Sequence, residues 1–368
     1  MNTFIGAVKP FEEYVKDLYV KRAAKIYGVN FLGELDEGCV TKNRASVCNG
    51  LALNVKLDDG PVRIKTRISE KSPLEFRPDT GIMTDTRTGE AYAAELVPRE
   101  KWVYEKTTTG RLAGSILKDE FNKTVATSVF GCELKNSGQG CKFCSSQKYD
   151  GPLFTPEEFS EALEIAGKSG KRLIINSGSL ASGQSAYPLL KPYITQASKR
   201  DFEWINLELM PPSKGNSAIK KLAREMAGDG VTSLQLNLEF WDEGLRKAFM
   251  PYKGSIPKDL YYELMGEWEK VFGKWKTSSV LLSGIENINS TEQGVYKLLE
   301  NGCVPSIEFF VPLQGTELAN MQMSENIESL YEISRLNMDI YERVSKNKDR
   351  VEGCLACGGC PTLKPKNR

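Results

Sequence analysis

From residue 151 to 313 the chain alternates helical apolar stripes with short, nearly continuous apolar runs. "TPEEFSEALEIAGKSG" sets Phe159, Leu163 and Ala166 on one helical face. It opens with Thr155 as N-cap, Pro156 at the first helical position and Glu158 closing a capping box. "KRLIINSGS" then predicts a buried strand running into a glycine turn, and "EWINLEL" a second one stopped by Pro211 and Pro212. "NSAIKKLAREMAGDG" predicts a helix with Ile219, Leu222, Ala223 and Met226 together and glycine at its end. "TSLQLNLEF" is the next strand. "IPKDLYYELMGEWEKVFG" predicts a helix turning Leu260, Leu264, Trp268 and Val271 inward, with its tyrosines in the core. "TSSVLLSGIE" and "PSIEFFVPL" predict strands, separated by "STEQGVYKLLENG", a helix with a Ser290/Gln293 capping box.

With one more strand around 124–130, the array holds about six strands. Strands alternating with amphipathic helices at this spacing imply βαβ units and a parallel sheet, hence an α/β fold. No G-x-G-x-x-G opens a helix after a strand. The expected architecture is therefore a (β/α) barrel of the TIM type, full or partial, working at the C-terminal ends of its strands. Polar residues gather at those ends: Ser177, Gly178 and Ser179; Asn237 and Glu239; Ser283, Gly284 and Glu286; and Gln314.

The flanks differ in texture. Residues 1–115 read as an accessory lobe, a helix followed by polar, β-leaning sequence with turns at "DDGP", "RPDTG" and "TRTGE". The barrel core spans 116–323. Residues 324–368 add a long helix, with Ile327, Leu330, Tyr331, Ile340, Tyr341 and Val344 at helical spacing, and a cysteine-rich tail. Charge adds little: 49 basic residues face 48 acidic ones for a net charge of +1, so no nucleic-acid or membrane partner is expected. No apolar run is long enough to span a bilayer, and the N-terminus is too charged for a signal peptide. A cytoplasmic protein acting on a small molecule is the expectation.

The chemistry lies in the cysteines. The chain has 9 cysteines and no histidine. A Ser-His-Asp triad, a His-assisted thiol and His-ligated zinc or haem are all excluded. Cys132, Cys141 and Cys144 form one tight group; Cys354, Cys357 and Cys360 form another, in "CLACGGCP". Cys303 reads as a small buried hydrophobe, and Cys39 and Cys48 share a polar stretch. Clustered thiols in a reducing compartment point to metal. A structural zinc site wants four ligands, as does an ordinary cubane cluster, and neither group has a fourth cysteine close by. A group of three can leave one iron free to bind something else.

Three cysteines, the last two spaced C-x2-C with Phe143 before the final one, ahead of a βα array, resemble the radical S-adenosylmethionine (SAM) enzymes. The usual spacing is C-x3-C-x2-C, where this chain has C-x8-C-x2-C. "LQLNLEFWDEGLRKAFMPYKG" is similar to the biotin synthase-like branch, and that likeness implies ribose contacts from Asn237 and Glu239. It likewise implies adenine contacts at Ser283, Gly284 and Glu286 of "SVLLSGIE", and a methionine amino-group contact at Ser177, Gly178 and Ser179. The methionine carboxylate falls to Lys258 or to the nearby Arg246. Taken with "PSIEFFVPLQGTEL" and the terminal "CLACGGCPTL", the chain resembles radical SAM proteins encoded beside a nitrilase in a bacterial gene cluster.

The resemblance implies a [4Fe-4S] cluster on Cys132, Cys141 and Cys144 whose open iron binds SAM. One-electron cleavage then gives a 5′-deoxyadenosyl radical, which takes hydrogen from a small substrate, amino acid-like in one reading. An electron donor such as flavodoxin or ferredoxin is implied. The spacing of Cys354, Cys357 and Cys360 equals the first three positions of a ferredoxin run, with Leu363 in place of the fourth, so a second, auxiliary [4Fe-4S] cluster is expected there. It could bind substrate, relay electrons or donate sulfur in an insertion reaction; Cys39 or Cys48 could complete it. The competing class is a non-enzymatic iron–sulfur or zinc protein. No residue is assigned a catalytic role beyond these.

Overall fold

Two sheets organise the chain. The computed structural model describes residues 11–34, 51–57, 60–167, 170–211, 216–321, 323, 327–345 and 351–362; Cys39, Cys48 and Leu363 lie outside these. The first sheet contains β1 (Asn30–Phe31), β2 (Leu51–Leu57), β3 (Gly60–Thr66), β4 (Leu74–Arg77), β5 (Ile82–Asp85) and β6 (Ala91–Leu96) in the order β1-β4-β5-β6-β2-β3. Its pairs are antiparallel except β1 with β4. In β6, buried Tyr92 and Ala94 alternate with exposed residues, the period of a sheet with one dry face. Helix α1 (Phe11–Tyr27) covers that face: its Val20, Ala23 and Ala24 pack with Leu53, Val55, Ile64, Phe76 and Met83.

A short helix α2 (Ala113–Ile116) leads to β7 (Lys118–Glu120), an antiparallel edge of the second sheet. Next come β8 (Thr124–Ser128), α3 (Glu133–Asn136), α4 (Pro156–Ala166), β9 (Arg172–Asn176), α5 (Tyr187–Ala197), β10 (Trp204–Glu208) and α6 (Asn216–Gly228). The array continues through β11 (Ser233–Gln235), α7 (Glu243–Phe249), α8 (Lys258–Phe272), β12 (Thr277–Ser283), α9 (Ile288–Glu300) and β13 (Cys303–Phe309). The strands lie in the order β13-β12-β11-β10-β9-β8-β7, and each pair from β8 to β13 is parallel. The described strands do not close on themselves, so this α/β unit is a partial barrel. Along β10, Ile205 and Leu207 pack into the helical layer, while Trp204 joins Ala126 and Ile174 on the inner face. Asn206 and Glu208 share that inner face.

The expected caps and stripes divide. The Thr155/Glu158 capping box at α4 is present in both directions. The Ser290/Gln293 box is not. Helix α9 begins earlier, with Asn287 as N-cap, and Ser290 instead donates to Glu286 while Gln293 accepts from Trp241. The buried stripe of α8 is Tyr261, Leu264, Met265 and Trp268, and Val271 is exposed. The spacing i, i+3, i+4, i+7 is satisfied by this stripe; Val271, seven positions after Leu264, continues the same face but falls in the last turn of the helix, where it is exposed.

After α10 (Ile327–Ser345), which packs on α1, α9 and β13, the chain returns to the inner face of the partial barrel. Helix α11 (Cys354–Cys357) places Ala356 against Ala126, Ile174 and Trp204. Beyond it, Thr362 N–H donates to Ile307 O at 2.8 Å and Pro361 bridges Glu308, so the tail runs along the edge of β13 that β12 leaves free.

Candidate functional site

The first cysteine group hangs from the C-terminal end of β8. Cys132 precedes α3, and its thiol points at Ser179 O, 3.7 Å away. The backbone beyond β9 passes so close that a Cβ on Gly178 would stand 2.2 Å from Gly131 O and 2.4 Å from Cys132 Cα. Only glycine fits there. Cys141 and Cys144 are held in a turn (Cys144 N–H to Cys141 O, 3.1 Å), and Ser146 N–H donates to Cys144 Sγ at 3.3 Å. Phe143 anchors this loop across the sheet, edge-on to Phe240 at 5.9 Å and Phe310 at 6.5 Å. Burial pushes the Cys141 thiol up to about 12; Lys253 opposes that, and Cys144, Glu239 and Cys132 add to it. Lys253, Glu239 and the other two thiols each act electrostatically on Cys141. Metal that binds there must displace protons from buried thiols.

Glu239 stands in the left-handed region at φ 67°, an uncommon and costly conformation for a residue other than glycine. Two backbone bonds clamp it, from its own N–H to Val280 O (2.8 Å) and from Leu282 N–H to its carbonyl (2.7 Å). Its carboxylate meets Lys253 Nζ at 3.1 Å, both side chains only 13% exposed. Burial alone lowers Lys253, but Glu239, Tyr261 and Cys141 hold it above the ordinary lysine range. Asn237 Oδ1 accepts from Val280 N–H at 3.1 Å. Ser283 is buried at the end of β12, and its carbonyl accepts from Phe310 N–H.

The other expected positions are occupied unequally. Glu286 accepts from Trp241 N–H, Asp242 N–H, Ser290 Oγ and Thr291 Oγ1, which fills a carboxylate's capacity. It brackets the loop after β11 to α9. Lys258 Nζ donates to Trp241 O at 2.7 Å, lies 3.7 Å from the Trp241 ring centroid and pairs with Glu243 at 3.2 Å. Arg246 is fully buried beside the Tyr261 ring, with Nε and Nη1 lacking hydrogen-bond partners. Gln314 sits in an exposed turn.

The second cysteine group belongs to the same interior. Cys354 Sγ donates to Glu208 Oε1, at the end of β10, at 3.3 Å. Burial pushes the Glu208 carboxyl up to about 7; the Cys354 bond lowers it, and Glu308 and Glu239 add to the rise. Glu239 thus acts on Cys141 of the first group and on Glu208, the partner of Cys354. Gly358, at φ 76°, reverses the chain after α11. The N-terminal lobe supplies much of the other wall, from α1 and β3, and the cations it brings gave no signal in the sequence. Lys21 Nζ donates to the carbonyls of Gly358 (3.0 Å) and Pro361, and Lys25 Nζ lies 3.9 Å from Cys360 Sγ. Arg63 donates to Cys357 O at 3.2 Å, and Asn122 Nδ2 to Ala356 O at 2.7 Å. Lys21 and Lys25 are one helical turn apart on α1, a spacing that marks a shared face but carried no metal signature. Cys303, by contrast, is fully buried at the start of β13, with burial pushing its thiol up to about 12.

The donor sets suit metal bound by thiolates at both places. Among the described residues, no three His, Cys, Asp or Glu side chains close on a single-ion position. Ligands that bind separate irons of a cluster need not do so.

No family model matches the chain. In sequence it is 26% identical, over 253 residues, to the bacteriochlorophyllide c C-7(1)-hydroxylase of Chlorobaculum limnaeum, covering 62% of this chain and 61% of that one. The chain thus spans less than two thirds of that relative's length. Among solved structures, a radical SAM methyltransferase from Sphaerobacter thermophilus aligns with a TM-score of 0.46 and 15% identity, covering 65% of this chain and 69% of that chain. Methylornithine synthase aligns at 0.45 and 17%, covering 64% and 70%. No described helix is long and apolar enough to cross a membrane. The chain is thus similar in sequence to that hydroxylase, and it carries a three-cysteine loop at the end of its first parallel strand.

Proposed function

We propose that the protein cleaves S-adenosylmethionine reductively and uses the resulting 5′-deoxyadenosyl radical to take hydrogen from a small, polar substrate. The observation that carries this reading is the gathering of Cys132, Cys141 and Cys144 around the buried Lys253–Glu239 pair at the C-terminal ends of a parallel strand array. A [4Fe-4S] cluster on those thiols supplies one electron and an open coordination site for the amino acid part of SAM.

The chain's own residues do the orienting. Glu239, clamped by Lys253 and its two backbone bonds, and Asn237 present acceptors to the ribose. Ser283, Gly284 and the backbone that Glu286 fixes flank the adenine. Ser177, Gly178 and Ser179 stand beside Cys132, where the amino group would lie. Of the two cations considered for the carboxylate, both pair with Glu243, Lys258 at 3.2 Å and Arg246 Nη1 at 3.8 Å. Lys258 is also taken by Trp241 O, whereas Arg246 Nε has no hydrogen-bond partner, and we assign the role to Arg246. Asn206 and Glu208 lie under the tail, at Gly353 and Cys354, and belong with the second cysteine group. A low-potential flavodoxin or ferredoxin would deliver the electron.

Cys354, Cys357 and Cys360 would hold the auxiliary cluster. Support comes from the buried cations at their wall, since buried charge demands a counter-charge and a metal–thiolate group provides one. Iron and sulfide counting on anaerobically reconstituted protein tests both sites. The expectation is about eight irons per chain, two cubanes, falling to about four when either triplet is replaced by alanine. Zinc in place of iron would overturn the reading.

A further inference from the structure

The lobe formed by α1 and the first sheet reaches the terminal cysteines with charge as well as bulk. Lys21 and Lys25 are 4% and 3% exposed, and both point at residues 357–361. Arg63 adds a third cation at Cys357 O. Resting on the auxiliary-cluster reading above, we propose that Lys21 and Lys25 set the reduction potential of that cluster by favouring its reduced, more negative form.

The electrostatics are direct. Reduction adds one electron from a low-potential donor protein, with no bond made or broken. Fixed positive charge in a water-poor interior stabilises the added negative charge more than it would at a surface. Carboxyls also face this volume: Glu208 at Cys354, Glu308 beside Pro361, and Glu120, which is paired with the buried Lys65. Lys25 is the better residue to change, because Lys21 also ties down the backbone of the tail through two carbonyls.

The test is a redox titration followed by electron paramagnetic resonance, in a Cys141→Ala/Cys144→Ala background where only the terminal cluster remains. Lys25→Met should keep its iron and lower the reduced-to-oxidised ratio about tenfold at a fixed potential, a fall of about 59 mV for a one-electron couple. Lys25→Arg, which restores the charge, should return the midpoint close to that of the background protein. Should Lys25→Met lose iron, Lys25→Gln makes the same comparison with a polar, uncharged side chain. An unmoved midpoint with iron retained overturns the inference while leaving the auxiliary cluster standing. Absence of terminal iron in the background protein overturns the auxiliary-cluster reading itself.

Discussion

The two cysteine groups are assembled in opposite ways. The first is local: Cys132, Cys141 and Cys144 share one loop after β8, and the sheet needs only to receive it, through Gly178 behind and Phe143 in front. The second is gathered from the whole chain. Its thiols follow α10, its carboxylate comes from β10, and its cations come from α1 and β3. The first group sits among rings and one ion pair; the second sits among buried lysines. A loop on a strand end leaves one side open for a ligand, whereas a plug on the inner face is walled by protein. On the proposed reading, SAM goes to the first site and the second takes a more enclosed role.

The comparison can be broken most severely at Gly178. A Gly178→Ala side chain meets backbone at 2.2 Å, which cannot yield without displacing Cys132. Iron should fall from about eight to about four per chain, with the terminal cluster retained. Loss of both clusters would mean that the two sites are not independent. Next is Lys253→Met, which strands the Glu239 carboxylate in a buried site. Removing one partner of a buried pair costs about 3–5 kcal/mol. SAM affinity, read by calorimetry on the reconstituted protein, should fall at least a hundredfold, while Lys253→Arg recovers part of it.

Smaller effects sharpen the contrast. Phe143→Ala removes an anchor whose ring pairs are worth about 0.5–1.5 kcal/mol each beyond area burial. First-site iron should then be lost faster to a chelator, with the terminal rate unchanged. In the shared scaffold, Leu264→Ala should lower stability by about 2–5 kcal/mol. Val271→Ala should stay within about 0.5 kcal/mol, since the residue is exposed. Denaturant melts of the two variants measure the difference, and equal losses would restore the helix face that apolar spacing alone suggested.

Those contrasts also explain what could be read in advance. The β8–β13 array was legible because each helix and strand carries its own period, and α4 because its cap is a local device. The cysteine loop was legible because its three thiols are close together in sequence. Val271 misled because it keeps the spacing of the stripe, while its place in the last turn of α8 leaves it exposed. The Ser290/Gln293 box misled because both residues were already committed, to Glu286 and Trp241. Lys253, Lys21, Lys25 and Glu208 left no signal, because a buried charge is recognised by its partner, and each partner lies on another element. Lys25 and Cys360, 335 positions apart, show this most clearly.

The most direct measurement is production of 5′-deoxyadenosine by anaerobically reconstituted protein given dithionite and S-adenosylmethionine. The account predicts that deoxyadenosine forms, disappears in Cys144→Ala, and persists, even if slowed, in Cys357→Ala. Deoxyadenosine formed equally well by Cys144→Ala, or absent from a wild-type protein that holds its iron and binds S-adenosylmethionine, would contradict the assignment of the first cysteine group.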